Sequence, residues 1–373
     1  MRKLRIAVII GTRPEAIKLA PVILAARARP EHFDVRVIRT GQHREMVDQL
    51  MDEFGLKADV DLDLMQPNQG LAYVMAESVR GLCAVIASEA PDWVLVQGDT
   101  TTTFAGALAA FYNHTRIGHV EAGLRTGQRD MPFPEEANRS LTARLADLHF
   151  APTEQARLNL LREGIAERDI VVTGNTVIDV LMHTLAGRAA GVARERHARA
   201  SRYVLVTAHR RENHGSALGH ICDALTEILA RHADLSVWVP LHPSPTVREV
   251  FMRRLGAHDR VRLTEPLGYT EFVTALDGAA LVLTDSGGVQ EECAALGKPV
   301  LVMREDTERP EAVSAGVAVL VGTDSQRIVD LASGLLDGSP AYGEMGRATG
   351  AFGDGSASVQ ILDALLAVPL PDR

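Results

Sequence analysis

Ala280-Leu281-Val282-Leu283-Thr284-Asp285-Ser286-Gly287-Gly288-Val289-Gln290-Glu291-Glu292 is the stretch that decides the fold. Its first four residues form a short apolar run that reads as a buried strand. Its end leads into a helical pattern through Cys293, Ala294, Ala295 and Leu296. A small Gly-containing turn between strand and helix leaves backbone N–H groups without intrahelical partners, and the helix dipole makes that point attractive to anions. An anion seat followed by Glu291 and Glu292 suits a nucleotide, with diphosphate on the amides and ribose hydroxyls on an acid. An ordinary strand–helix turn with solvated glutamates has the same pattern, so the rest of the chain must decide.

The same unit recurs along the chain. Apolar runs at Arg5–Ile10, Val35–Arg39, Trp93–Gln97, Arg116–Val120, Leu148–Ala151 and Ile170–Thr173 alternate with amphipathic helical stretches. A second series runs Tyr203–Thr207, Ser236–Pro240, Val261–Thr264, Leu281–Thr284, Pro299–Met303 and Val317–Val321. This alternation predicts an α/β protein whose parallel sheets carry helices on both faces. A length of 373 residues exceeds one typical core, so two doubly wound, Rossmann-like domains are expected, with ligand in a central cleft where strand C-termini meet. Ala186–Arg202 is rich in Ala, Arg and Gly and has no strand run, which places the domain change just before it, near Val171. The expected division is 1–170 plus 353–373 for the first domain and 171–352 for the second.

Composition narrows the function. Hydrophobic residues make up 46% and aromatics only 4%, so Leu, Val, Ile and Ala must fill the cores. The net charge of −9 argues against nucleic acid and against an anionic membrane surface as partners. Cys83, Cys222 and Cys293 are odd in number and lie in helical patterns, which predicts small buried thiols and a reducing, cytoplasmic setting. The apolar run Ile6–Ile10 is too short for a secretion signal and reads as strand one. No run approaches transmembrane length on this reading. A G-x-G-x-x-G after the first strand, a G-x-x-x-x-G-K-[ST] loop, H-E-x-x-H, a Cys/His ligand cluster and G-x-S-x-G are all missing, so neither a redox cofactor nor a metal is expected.

The unusual polar residues gather just after strands. Gly11-Thr12-Arg13-Pro14-Glu15-Ala16-Ile17-Lys18 sets Arg13 and Lys18 at a helix start, where two cations suit a diphosphate or form a surface ion pair. Gly98-Asp99 is followed by Thr100 to Thr103, poor helix formers that could line a polyhydroxylated ligand; Asp99 also sits where an N-cap belongs. Glu121 lies in an apolar turn, where a desolvated carboxylate would hold its proton more tightly. Pro132-Phe133-Pro134-Glu135-Glu136 opens a helix with two acids, which the dipole alone would favour. Asp99, Glu121 and Glu135 together could supply both acid and base. Thr207-Ala208-His209-Arg210-Arg211 suits phosphate contact, and His242 sits at a proline-bounded corner. The charged loop Arg304–Glu311, with Arg309, reads as a lid, a ribose contact or a solvated loop.

Taken in order, GTRPEAIKLAP, TGQHREM, GDTTTT, GHVEAGLRT, PEEANR, TGNTVID, HRRE, TDSGGVQEE and GKPVLVMREDTERPEAV resemble the non-hydrolysing UDP-N-acetylglucosamine 2-epimerases of bacteria, from Ile6 to about Leu366. The resemblance implies a two-domain fold of the GT-B glycosyltransferase type, with a C-terminal helix (here Ala357–Leu366) that crosses back to the first domain. It implies interconversion of UDP-GlcNAc and UDP-ManNAc. In that reaction UDP is eliminated across C1–C2 to give 2-acetamidoglucal, and then re-adds with a proton delivered to the other face of C2. It implies no cofactor and a homodimer. Matched motif by motif, Asp99, Glu121 and Glu135 correspond to the family's candidate acid/base carboxylates, with the face of C2 each serves left open, and Arg13, Lys18 and His209 match positions that bear on the phosphates and leaving group. Ser286, Gly287 and Gly288 form the phosphate turn, Glu292 contacts ribose, Phe272 packs on uracil, and Arg309 lies in the substrate loop. Gln42, His43, Arg210 and His242 match an allosteric UDP-GlcNAc site of some members. Two departures stand out: Leu267 replaces a glutamine near the uracil, and Asn68 replaces an arginine of strongly allosteric members. Other readings share many motifs: a hydrolysing epimerase releasing ManNAc and UDP, a 2-epimerase for a related UDP-sugar, a GT-B glycosyltransferase, and a binding-only sensor.

Overall fold

The computed structural model describes residues 2–41, 44–64, 66, 69–189, 202–210, 213, 215–339 and 345–369. The chain divides into two compact units, Met1–Val180 with Gly353–Arg373, and Leu181–Phe352. The second unit begins at Leu181 rather than near Val171. The reason is register: the strand at Ile170–Val172 pairs with the first sheet, Val171 beside Phe150 and Val172 beside Ala151.

The first unit holds a seven-stranded sheet. Its strands are β1 (Leu4–Ile10), β2 (Phe33–Arg39), β3 (Val60–Asp61), β4 (Trp93–Gln97), β5 (Arg116–Val120), β6 (Leu148–Ala151) and β7 (Ile170–Val172). All pair in parallel in the order β3-β2-β1-β4-β5-β6-β7. Helices cover both faces, which is why β1 and β4 are almost continuously apolar and buried. β3 has only two residues, too few for a periodic signal. The closing helix Ala357–Ala367 belongs to this unit and packs on the helix Arg13–Arg27. Asp179 caps it from far back in the sequence, accepting from Ala357 N at 3.2 Å, Ser358 N at 2.7 Å and Ser358 Oγ at 2.6 Å.

The helix Leu71–Glu89 amends one expectation. By length and composition it is apolar enough to cross a membrane. Its row Val74, Ser78, Leu82 and Ile86 is buried and it packs on the helix Thr101–Tyr112, the i, i+4 spacing of a core-facing stripe. Glu77 lies three residues before Arg80, and the two pair.

The second unit holds a six-stranded sheet. Its strands are β8 (Tyr203–Thr207), β9 (Ser236–Pro240), β10 (Val261–Thr264), β11 (Leu281–Thr284), β12 (Val300–Val302) and β13 (Ala318–Leu320). They are parallel in the order β10-β9-β8-β11-β12-β13. Its core is aliphatic, with Val204, Val206, Leu225, Ile228, Leu283 and Leu301 among its members.

Both sheets are doubly wound. The order runs outward from the first strand, then resumes on its other side. This reversal leaves a topological switch point between β1 and β4, and another between β8 and β11. Ligands of open α/β sheets bind beyond the strand C-termini at such points. Cys222 and Cys293 are buried as expected, but Cys83 is only half-buried, because it lies off the helix's buried row.

Candidate active site

In the first unit, the turns after β1 and β4 meet across the switch point through Glu15. Thr12 and Glu15 form a capping box at the start of the helix Arg13–Arg27. Glu15 Oε2 accepts from Gly11 N at 2.7 Å and Thr12 N at 2.6 Å. Its Oε1 lies 2.5 Å from Thr100 Oγ1 and 3.0 Å from Thr103 Oγ1. Thr103 also gives its hydroxyl proton to Gln97 O at 2.6 Å. One hydroxyl proton cannot fully serve both contacts, a conflict that a proton held by Glu15 would relieve. Burial pushes the Glu15 carboxyl in that direction, against the lowering effect of Thr100, Gly11, Thr12 and Thr103. Thr100, not Asp99, is the N-cap of the following helix, accepting from Thr103 N at 3.0 Å. That leaves the Asp99 side chain for another partner.

Glu121 is the centre of this cluster. It follows β5 in a left-handed conformation, φ +61°, which a non-glycine residue adopts at a cost. Its buried carboxylate accepts from Lys18 Nζ, from Gln97 Nε2, and from Asn175 Nδ2 at 2.8 Å. Lys18 and Glu121 are 9% and 5% exposed in their side chains. The apolar turn therefore does not strand a bare acid, since three donors answer its charge. Lys18, which the resemblance places at the phosphates, is bonded here to Glu121.

Asp99 pairs with Arg139 Nη2 at 2.6 Å, and its carbonyl accepts from Asn138 Nδ2 at 3.0 Å. Both partners lie on the helix Glu135–Leu145. Glu135 opens that helix and is half-buried; Glu136 is buried and accepts from Thr126 N and Gly127 N. Below them, His119 Nε2 donates to Gly98 O at 2.7 Å and fixes the carbonyl before Asp99. Burial drives His119 down to about 3, so this ring is a neutral strut.

In the second unit the turn after β8 meets the turn after β11. Asp285 is fully buried. Its Oδ1 lies 2.9 Å from His209 Nδ1. Its Oδ2 accepts from His209 N, Arg210 N and Asn213 Nδ2, each at 2.9 Å. Burial pushes this carboxyl up, but the His209 ring and the two amides outweigh it and hold it at about 2. The His209 ring stacks on His242, centroids 5.6 Å apart. Ser286 is the N-cap of the helix Gly287–Leu296, and its amide donates to Thr284 Oγ1 at 3.0 Å. Arg309 Nε donates to Glu291 at 2.8 Å, and its guanidinium lies against Gly287. Glu308 is pushed up by burial but held at about 2 by Arg309, Arg304 and Arg210. Glu292 accepts from Tyr269 Oη at 2.9 Å, and Phe272 is half-buried on the same helix as Tyr269.

A family model described as UDP-N-acetylglucosamine 2-epimerase matches residues 25–366. The chain is 49% identical to the UDP-N-acetylglucosamine 2-epimerase of Salmonella typhimurium, over 97% of this chain and 98% of that one. The chain belongs to the UDP-N-acetylglucosamine 2-epimerase family. A crystal structure of the Neisseria meningitidis UDP-GlcNAc 2-epimerase bound to UDP-GlcNAc superposes with a TM-score of 0.94 at 44% identity, covering 97% of this chain and 100% of that chain. The S. aureus MnaA co-structure with UDP gives 0.91 at 44% identity, covering 97% and 96%. The two Rossmann-like sheets are therefore those of the GT-B-type epimerase family.

The epimerase pattern accounts for most strand-end residues singled out from sequence. In the first unit the structure links Lys18 with Glu121, and Asp99 with the helix that Glu135 opens; Arg13 begins the helix that carries Lys18. In the second it gathers His209, Arg210 and His242 at the end of β8, and Ser286, Gly287, Gly288, Glu292 and Arg309 around the next helix. Leu267 is buried. Gln42, His43 and Asn68 lie outside the described residues. Sequence reasoning missed Glu15, Gln97, His119, Asn175, Tyr269 and Asp285 as site residues. Two of them, Gln97 and His119, carried a signal: a polar side chain at the C-terminal end of a buried, mostly apolar strand.

Proposed function

We propose that this chain interconverts UDP-N-acetylglucosamine and UDP-N-acetylmannosamine without hydrolysis. On this reading UDP is eliminated across C1–C2 to 2-acetamidoglucal, and its re-addition is accompanied by proton delivery to the other face of C2. The observation that carries it is the Glu121 cluster: a buried carboxylate in strained backbone, fixed by Lys18, Gln97 and Asn175. A group held that rigidly suits proton transfer at a carbon whose hydrogen is not beside a carbonyl. Asp99 and Glu135 complete the acid–base set. His209, Arg13 and the turn at Ser286–Gly288 bind the diphosphate and favour its departure, Glu292 and Arg309 take the ribose side, and Phe272 the uracil. The chemistry invokes neither metal nor redox cofactor. The UDP-GlcNAc seen in the Neisseria protein and the UDP in the S. aureus protein support the substrate class.

The reading includes a homodimer in the cytoplasm. Only 22% of the apolar window in Leu71–Glu89 is buried within the chain. Phe111 and Tyr112, 53% and 60% exposed, end the helix that packs on it, and exposed apolar groups of this kind suit a second copy. Free thiols at Cys83, Cys222 and Cys293 suit a reducing compartment.

Incubation with UDP-GlcNAc in deuterium oxide, followed by NMR, tests the reaction. Deuterium at C2 in a mixed pool of UDP-GlcNAc and UDP-ManNAc is expected. Accumulating free ManNAc would show a hydrolysing enzyme, and unlabelled starting material would show a binder. A small panel of UDP-sugars in the same assay tests the sugar.

A further inference from the structure

We infer that Asp285 is a positioning residue for the reaction: it holds the His209 ring with Nδ1 protonated, so that Nε2 is the nitrogen offered to the diphosphate. This rests on the reading above that His209 serves the leaving group. Asp285 comes from the turn after β11 and His209 from the turn after β8, so the contact bridges the switch point itself. The ring nitrogen and the carboxylate oxygen are 2.9 Å apart. Two acceptors that close repel unless a proton lies between them, and an ionised carboxylate brings none. Oδ1 is buried and has no well-aligned hydrogen-bond donor of its own among the described residues, and a proton on Nδ1 both removes that repulsion and sets a positive hydrogen beside it. The other carboxylate oxygen is fully used by the backbone of His209 and Arg210 and by Asn213, so Asp285 cannot turn away from the ring without releasing three donors. The stack on His242 restrains the ring plane from the side. One residue thus fixes the loop, the ring orientation and the tautomer. A histidine so held, made cationic by a second proton on Nε2, donates to a departing phosphate oxygen and takes that proton back on the return step.

The test is ¹⁵N imidazole NMR of the full-length protein, with the His209 signal assigned by its loss in His209→Gln. In the wild type Nδ1 is expected to be of the protonated, pyrrole type, and the Nε2 signal to move on adding UDP. A pyridine-type Nδ1 in the wild type overturns the inference without any variant of Asp285. Asp285→Asn keeps an oxygen for the amides but turns an N–H toward the ring, so Nδ1 is expected to become the bare nitrogen. With that change, kcat is expected to fall on the order of 10²-fold or more, with KM for UDP-GlcNAc within about threefold. In a His209→Gln background the same substitution should cost little more. An unchanged kcat with a switched tautomer, or an equal loss in both backgrounds, refutes the positioning role. If the wild type turns over no UDP-GlcNAc, the functional reading fails while the tautomer measurement still stands by itself.

Discussion

Replacing Glu121 by Gln separates what this residue does for the fold from what it does for chemistry. The Lys18–Glu121 pair is almost wholly buried, at 9% and 5% side-chain exposure. Removing one charge from such a pair leaves the other uncompensated, at a cost of about 3–5 kcal/mol. The amide that this substitution introduces also places an N–H against at least one of the donors Lys18, Gln97 and Asn175 that now point at the carboxylate, which adds to the loss. Lys18→Met should cost less, because Gln97 and Asn175 still satisfy Glu121. Removing both charges in Lys18→Met with Glu121→Gln should cost no more than Glu121→Gln alone, since a buried pair exchanged for neutral groups is often near neutral. Trp93 and Trp238 are the two tryptophans, one in each sheet. In a Trp238→Phe background, fluorescence in urea follows buried Trp93 and therefore the first unit. The reasoning is refuted if Glu121→Gln unfolds within about 1 kcal/mol of the parent, or if the two losses simply add. All three variants should be at least tenfold slower in epimerisation whatever their stability.

Glu15→Gln mimics the protonated acid and should keep stability within about 1 kcal/mol, whereas Glu15→Ala, which strips the cap and leaves Gly11 N and Thr12 N without an acceptor, should cost about 2–4 kcal/mol in thermal or urea unfolding. Gly287→Ala would set a methyl 2.7 Å from Arg309 Cζ, but a methyl at Gly288 meets nothing within 4 Å. Gly287→Ala should therefore lower the melting point, while Gly288→Ala leaves it unchanged and, in the phosphate turn, weakens UDP binding at least tenfold by calorimetry. His119 and His149 pair in register on β5 and β6, and burial drives them from 6.5 to about 3 and about 4. Because both values lie below those of the unfolded chain, the unfolded state takes up protons first. Stability should be full above pH 6.5 and fall by several kcal/mol as pH drops toward 4 and then 3; a flat unfolding midpoint from about pH 7.5 to about pH 5 contradicts this.

Where a pattern is local, the sequence was a sufficient guide. Apolar runs alternating with helices were enough for two doubly wound sheets, because strands buried on both faces carry almost no polar residues. Residues just past those strands marked the candidate site, because loops at strand ends are where such folds place chemistry. Partners far apart in sequence were not legible. Asn175 reaches Glu121 across 54 positions and Lys18 across 103, and neither pairing has a periodic signature. The capping role also went to Thr100 rather than Asp99, a choice set by backbone angle. Asp285 stood in the opening motif, but its ring partner came from another strand, so only its place in the turn was visible. β3 was too short to announce itself, and the composition of Leu71–Glu89 says nothing of which row of the helix is covered.

The cap that Asp179 places on the closing helix has a consequence for synthesis. The first unit is interrupted in sequence, and Asp179 waits for Ser358, 179 positions later. At typical translation rates that interval is on the order of 10–40 s. The inserted unit, Leu181–Phe352, emerges complete before the first can finish. A nascent chain therefore carries an open helix-docking face on the N-terminal unit, and a ribosome stalled before Ala357 leaves that face bare for chaperones or proteases. The final helix is the latch that ends this exposure.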